Sequence, residues 1–497
     1  MALLGVAAGG VALRTWQLDA LGFNSDEAVY AGQAAAIAAV PELRDIFPIF
    51  RAHPLLFQYV LALGALIGAD ELGARLISVG VGMLTVALAF LLGRLLYGTR
   101  VGVVAALVTA LMPYHVIVTR QVLLDGPMTL FATLALYLVA KFADTGRPAF
   151  LYAVGASLGL TFLAKETGII LLGGVYAFLA LSPEIKVRLR DLAFSIIVMV
   201  LVIAPFPLSL SLAGGDGTSK AGSYLIWQLF RRANHDWFFY PEVVPAAVGF
   251  GVVLTGVLGL VMMRRWIAWQ EKLLVGWIVV PVVFFQLWPV KGFQYLLPIS
   301  VPLAVLAALA ICEVFPLTAW RSVSRPWVRI HALPLLLSVV LGGTLALTSW
   351  FRIQVAVSGE FLAGSGGVPG GREAGVWVSE NVPAGATLMT IGPSMANIIQ
   401  YYGRRPALGL SVSPNPLHRN PSYEPINNPD LQIRSGDLQY IVWDSFSASR
   451  STFFGERVRE YAERYHGRVV HTESITLRTE AGEEATVPVI VIYEVRP

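Results

Sequence analysis

Apolar runs of span length dominate this chain and leave it few ways to fold. About eleven occur: Met1–Trp16, Leu72–Tyr97, Val101–Val118, Pro127–Phe142, Ala149–Leu163, Thr167–Leu181, Leu192–Leu212, Val243–Met263, Leu273–Trp288, Leu296–Phe315 and Ala332–Trp350. A helix crosses the hydrocarbon core with roughly 20 apolar residues, and in lipid its backbone groups must pair internally. A polytopic α-helical membrane protein is expected. Only 14% of the residues are charged, against about 25% in soluble domains, and mean hydropathy is +0.66. The net charge of +4 is scattered over short loops, without the basic face and stacking aromatics that nucleic-acid binding requires. The single cysteine, Cys312, lies in an apolar run, so no internal disulfide and no Cys-based metal site is available. Leu55–Ala69 is apolar but short and follows His53-Pro54; it reads as a helix in the interface plane, with a two-helix alternative.

Charge placement sets the orientation. If Ala149–Leu181 is two helices broken at Lys165-Glu166, the loops Arg94–Arg100, Lys141–Arg147, Lys186–Arg190, Arg264–Lys272 and Arg321–Arg329 share one side. They hold about thirteen Lys and Arg, which the positive-inside rule assigns to the cytoplasm. One long helix would break that bias. Met1–Trp16 lacks the basic n-region and clear cleavage site of a signal peptide, so an uncleaved anchor is expected. Trp237, Tyr240, Trp266, Trp269, Trp288 and Trp350 lie near span ends, as an aromatic belt requires.

Three regions follow. Residues 1–353 form the membrane domain, with residues 19–71 as a first outer loop. Residues 354–371, with Gly364-Ser365-Gly366-Gly367 and Pro369-Gly370-Gly371, read as a flexible linker. Residues 372–497 form an extracytoplasmic soluble α/β domain. In it Arg372–Asn381, Ser394–Tyr402 and Arg450–Tyr465 read as helices, and Thr387–Ile391, Tyr440–Trp443, Val469–Glu473 and Val487–Tyr493 as strands. The Pro- and Asn-rich stretch Ser413–Pro429 reads as a long loop, a type that often carries function. The irregular stretches Asn427-Asn428-Pro429 and Trp443–Arg450 fit acceptor binding or ordinary capping.

On this topology the outer side collects the chemically capable residues. The first loop carries Asn24-Ser25-Asp26-Glu27, Arg44-Asp45 and Arg51-Ala52-His53-Pro54; later loops carry Arg120 and Asp125, Lys165-Glu166, Lys220, Arg231-Arg232, Asn234-His235-Asp236, Lys291 and Tyr295. Ionisable groups at a span centre cost about 2.5–3.5 kcal/mol each, so those in short loops must pair, reach water or bind a charged ligand. A headgroup-level phosphate fits cations of this kind, and a carboxylate beside it can take a proton from a hydroxyl. Structural readings stand beside each. Asp26 with Glu27, and Asp125, can cap helices; Lys165-Glu166 can satisfy itself; Arg231-Arg232 can touch headgroups; His53 can be a plain loop residue.

The order of these features resembles the C-type glycosyltransferase superfamily, in particular protein O-mannosyltransferases and lipid A aminoarabinose transferases, the glycosyltransferase family 39-like branch. The likeness covers roughly Arg14 to Ala310. Ser25-Asp26-Glu27-Ala28-Val29-Tyr30 resembles the family's acidic motif in the first outer loop. Arg51-Ala52-His53-Pro54-Leu55 is similar to its His-Pro-Pro or Lys-Pro-Pro motif, with Leu55 in place of the second proline. Arg75-Leu76 through Gly93-Arg94-Leu95-Leu96-Tyr97-Gly98 resembles its second span. Arg120 with Asp125, Leu163-Ala164-Lys165, and Lys291-Gly292-Phe293-Gln294-Tyr295-Leu296-Leu297-Pro298 match its later motifs.

The resemblance implies a polyprenyl-phosphate sugar as donor and a protein, lipid or glycan hydroxyl as acceptor, joined with inversion on the extracytoplasmic face of a multi-pass cell membrane protein. Asp26 is then the base and Glu27 a second carboxylate. His53, Arg120, Lys165, Lys291 and one of Arg231 or Arg232 are the expected phosphate ligands, with Asp125, Glu166 and Tyr295 in the same substrate site. The leaving phosphate is a weak base that cations stabilise, so no cofactor is required, although carboxylates also suit a divalent Mg or Mn ion. A transporter or flippase of a lipid-linked or anionic solute is the competing class. It calls for inverted repeats and mid-span polar groups, and the chain has no evident repeat. An oligosaccharide ligase of the same superfamily is a third reading.

Overall fold

The computed structural model describes residues 2–49, 53–212, 223–224, 227–228, 230–263, 267–315, 332–360, 364, 366–478 and 484–496. Arg51, Ala52, Lys220, Trp266 and the basic stretch Arg321–Arg329 lie outside the described residues. All eleven apolar runs form helix, but not equal ones. Among the described residues six helices are long and apolar enough to cross a membrane: Glu71–Tyr97, Asp125–Thr145, Leu189–Leu212, Trp269–Leu287, Phe293–Val314 and Leu333–Arg352. Two bent helix pairs bring the number to eight if each is one span, and Ala2–Thr15, Pro148–Ala164 and Glu166–Leu181 are shorter apolar helices. Leu55–Ala69 is represented by the helix Leu56–Leu66.

The bends have local causes. Thr99–Leu111 and Pro113–Thr119 meet at 58°, where Met112 precedes proline and takes an extended conformation. Phe239–Val248 and Phe250–Met263 meet at 97° around Gly249, whose φ is +100° and where a Cβ would lie 2.6 Å from Leu345. Ala149–Leu181 is two helices, because Lys165 is extended (φ −161°, ψ 128°) between Pro148–Ala164 and the 3-10 turn Glu166–Ile170. Phe293–Val314 is the bundle axis, 89% buried over its apolar window, whereas Leu189–Leu212 is 11% buried and turns its apolar surface outward. Gly155 and Gly159 let Pro148–Ala164 approach the backbone of Ser195 and Met199 closely, the small-residue contact that brings membrane helices together.

The soluble domain holds one five-stranded sheet of order β2-β1-β3-β5-β4, with β1 Leu388–Thr390, β2 Ala407–Gly409, β3 Tyr440–Asp444, β4 Arg468–Arg478 and β5 Glu484–Glu494. β1 pairs in parallel with β2 and β3, and β5 pairs antiparallel with β3 and β4. Alternation along β3 sends Val442 into a core with the helices Gly371–Asn381 and Pro393–Gly403, and Ile441 and Trp443 into a core with the helix Thr452–Arg464. Two departures from the sequence reading are local. The short strand β2 has no alternating pattern to reveal it. Trp443–Arg450 is a strand end and a short helix capped by Asp444, not an irregular loop. Asn428 caps the helix Pro429–Arg434.

The expected flexible linker is laid against the membrane domain where it is described. The Gly364 carbonyl accepts from Arg120 Nε at 3.0 Å, and Gly366 and Gly367 touch Arg75 and Gly22. Beyond it, Arg372 pairs with Asp19 and Glu71, each at 2.8 Å. The Tyr402 hydroxyl accepts from the Phe23 amide at 2.6 Å, and Asn397 Nδ2 donates to Ser25 Oγ at 3.0 Å. The soluble domain therefore grips the segment that opens the helix Ser25–Ile37.

Behind that segment lies a buried hub. Arg75 uses all five of its N–H donors: Nε and Nη2 clamp Glu27 at 2.9 and 2.8 Å, and the remaining three reach the carbonyls of Leu18, Leu21 and Gly22. Removing one partner of a buried ion pair costs about 3–5 kcal/mol, because the other charge is stranded. Arg75→Met is therefore expected to lower the unfolding temperature in detergent sharply, while Arg352→Met, at an exposed pair, changes it little. Equal unfolding temperatures for the two variants would contradict the hub.

Candidate active site

The helix Ser25–Ile37 starts with a capping box. Asn24 Oδ1 accepts from the Asp26 and Glu27 amides at 3.0 and 3.1 Å, and Glu27 Oε2 accepts from the Asn24 amide at 3.0 Å. Consecutive helix positions point about 100° apart, so two adjacent acids face different surroundings. Glu27 is fully buried. Its two oxygens accept from Arg75 twice, from the Asn24 amide and from the Val122 amide. That fills the roughly four lone-pair positions of a carboxylate, and Glu27, expected as a second carboxylate, is not among the residues lining the recess at Asp26.

Asp26 faces the other way. With Val29, Tyr30 and Gln33, at positions i, i+3, i+4 and i+7, it lines a recess of about 100 Å³ that also meets His53, Asn420, Ser422 and Tyr423. The carboxylate is open to the recess but otherwise surrounded by protein. The loss of bulk water raises its pKa above the ordinary aspartate range, with Lys165 and His53 opposing and Glu27 adding to the rise.

Two ion pairs lie nearby: Lys165 and His53 are within electrostatic range of Asp26, and His53 lines the recess. The break after Ala164 delivers Lys165, whose Nζ contacts both Asp125 oxygens at 2.8 and 2.9 Å; both residues are buried. The next residue, Glu166, meets His53 Nδ1 at 2.8 Å. Tyr295 stands beside them, its ring centroid 4.8 Å from Lys165 Nζ, and the His53 ring meets those of Tyr30 and Tyr224 edge-on. Asp26, His53, Asp125, Lys165, Glu166 and Tyr295 thus come together from four separate parts of the chain.

The remaining expected residues fare differently. Arg231 lies over the Trp227 ring at 4.5 Å and within electrostatic range of Tyr224 and Tyr295, while its neighbour Arg232 is exposed. Lys291 is buried; its amide and carbonyl bond the Asn234 side chain at 2.8 Å, and its Nζ lies 5.9 Å from the Trp237 ring centroid. Arg120 is not brought to the recess. It is buried with its guanidinium on the carbonyls of Leu13, Trp16 and Gly364, which ties the first helix to the segment around residue 364. Among the described residues no group of three or more His, Cys, Asp or Glu is placed to hold a metal ion. Sequence reasoning missed Tyr30, Gln33 and Tyr423. The first two share the Asp26 helix face, a periodicity that would have found them; nothing in the sequence around Tyr423 places it near residue 26.

The Lys165–Asp125 pair separates structure from function. Lys165→Met strands a buried carboxylate and is expected to cost about 3–5 kcal/mol, whereas Lys165→Met/Asp125→Leu restores most of the lost stability. A thermal double-mutant cycle measures this, and a double variant no more stable than the single one would rule out the pairing.

The family model for dolichyl-phosphate-mannose-protein mannosyltransferase matches residues 52–210. No curated protein matches the chain in sequence. Among solved structures, ArnT from Cupriavidus metallidurans bound to undecaprenyl phosphate is 15% identical with a TM-score of 0.73, covering 99% of this chain and 97% of that chain. The oligosaccharyltransferase of Archaeoglobus fulgidus in its apo form is 14% identical with a TM-score of 0.62, covering 98% of this chain and 74% of that one. Residues 52–210, about a third of the chain, thus match the protein mannosyltransferase model, and the fold over nearly the whole chain is similar to that of these two solved structures.

Proposed function

We propose that the chain is an inverting glycosyltransferase that moves a sugar from a polyprenyl-phosphate donor to an acceptor hydroxyl on the extracytoplasmic side of the membrane. The observation that carries this reading is the recess itself, where one open carboxylate shares the lining with a carboxylate-held histidine and has a buried lysine within electrostatic range. The protein mannosyltransferase match over residues 52–210 and a fold shared with a structure holding undecaprenyl phosphate support it. The orientation rests on the charge bias of the loops. Helices start at Glu71 and Asp125 and end at Thr119 and Ala164 on the recess side, and Arg94, Arg100, Lys141 and Arg147 lie at the opposite ends.

In the proposed reaction the donor phosphate meets Lys165 and His53, with Arg231 and Lys291 as further cations at longer range. Asp26 takes the proton of the acceptor hydroxyl. The hydroxyl oxygen bonds to the anomeric carbon from the face opposite the phosphate, and the bond from that carbon to the phosphate oxygen breaks. The electron pair leaves with polyprenyl phosphate. Side-chain cations, rather than a divalent ion, are assigned the developing negative charge. Glu166 holds the His53 ring in place through its Nδ1 contact at 2.8 Å.

A general base contributes about 10²–10⁴-fold, so Asp26→Asn is expected to reduce transfer by that factor with an unchanged unfolding temperature. Full transfer in that variant would remove the assignment. The base must be ionised, so kcat/KM falls as pH drops through the Asp26 pKa. Because the protein around the recess raises that pKa, the loss begins at higher pH than for an aspartate in open water. An acid limb in the ordinary aspartate range would count against Asp26 as the group that titrates.

A further inference from the structure

The recess at Asp26 opens beside a larger chamber. The recess is roofed by Asn420, Ser422 and Tyr423 of the soluble domain. Ser422 and Tyr423 also line a cavity of about 490 Å³ between the first outer loop and the soluble domain, so the two chambers adjoin across these residues. The larger one has Asp45 and Pro48 on the membrane-domain wall and Asn397, Arg419 and Glu424 on the other. Its volume is that of a small-ligand site.

We propose that this chamber is the acceptor subsite and that the acceptor it fits is a neutral oligosaccharide. The inference rests on the glycosyltransfer reading and adds which part of the chain reads the acceptor. Three features select the ligand class. First, the lining carries two carboxylates, Asp45 and Glu424, and one cation, Arg419. A phosphorylated or otherwise anionic acceptor calls for clustered Arg and Lys. Second, amides, a serine, a tyrosine ring and proline faces dominate the walls, with Ile46, Leu408 and Val412 the large aliphatic residues among them. Amides and hydroxyls both donate and accept, as sugar hydroxyls require, while acyl chains need continuous apolar walls. Third, an extended peptide would dock by adding a strand to a free sheet edge. The edge at this chamber is β2, and there the Ala407 carbonyl already accepts from Gln400 Nε2 at 2.8 Å, with Ala407 itself buried. Tyr423 and Ser422, at the neck, then pass the reacting hydroxyl towards Asp26.

The test uses the full chain in lipid nanodiscs and reads binding by saturation-transfer NMR. The probes are maltotetraose, mannotetraose and xylotetraose, a Ser/Thr-rich peptide, phosphatidylglycerol, and polyprenyl phosphate alone. At least one tetrasaccharide is expected to bind. Tyr423→Ala, which removes the neck ring, and Ser422→Trp, which fills the neck, are each expected to weaken that binding roughly tenfold, on the scale of a dominant contact. Retained polyprenyl-phosphate binding verifies that both variants are folded. Silence from all three tetrasaccharides, tetrasaccharide binding indifferent to both substitutions, or binding by the peptide or the anionic lipid in their place would overturn the proposal. Failure of polyprenyl phosphate to bind the unsubstituted chain would instead overturn the glycosyltransfer reading beneath it.

Discussion

The buried Arg75–Glu27 pair sets the position of the helix that carries Asp26 to the recess. Arg75 projects from the start of a membrane helix, and its five donors gather Glu27 and the carbonyls of residues 18, 21 and 22 into one rigid corner. The helix that carries Asp26 begins at this corner. Its first turn is fixed by the same carboxylate, which closes the capping box and accepts from Val122. A guanidinium fork suits this task because its planar donors match a carboxylate bidentately. With Glu27 locked, the 100° step between neighbouring helix positions leaves Asp26 turned towards the cleft.

The soluble domain is joined to the same corner. Tyr402 bonds the Phe23 amide, Asn397 bonds Ser25, and Arg372 bridges Asp19 and Glu71. Each contact falls within the residues leading into the Asp26 helix or on the membrane helix beside it. The domain thus fixes the acidic segment from above while Arg75 fixes it from below. The result is one recess with walls of different origin: the Asp26 helix face and His53 on one side, and Asn420, Ser422 and Tyr423 of the C-terminal region on the other.

Much of this could be read from the chain alone, for stated reasons. Spans are legible because apolar length is a one-dimensional property, and the split at Lys165 followed from counting charges on loops. The bend at Met112-Pro113 carries a proline signal, whereas the 97° bend at Gly249 interrupts an apolar run that is otherwise continuous. Asp26 and Glu27 differ in role because of one helical step, and the Asn24…Glu27 capping spacing is the only sequence sign of it. Arg120 and Lys165 both sit at span ends in one outer cluster, and only three-dimensional packing sends one guanidinium to backbone carbonyls and the other cation to the cleft. Strand β2 is three residues long, too short for a periodicity, and the approach of residues 420–423 to residue 26 joins segments about 400 positions apart.

The central claim is that a donor phosphate meets Lys165 and His53 near Asp26. It is tested most directly by an experimental structure of the full chain with polyprenyl phosphate bound. The account predicts phosphate density within hydrogen-bonding distance of Lys165 Nζ and the His53 ring, with Asp26 unliganded and facing it. Phosphate bound out of reach of both residues, with the Lys165–Asp125 and His53–Glu166 pairs undisturbed, would contradict it.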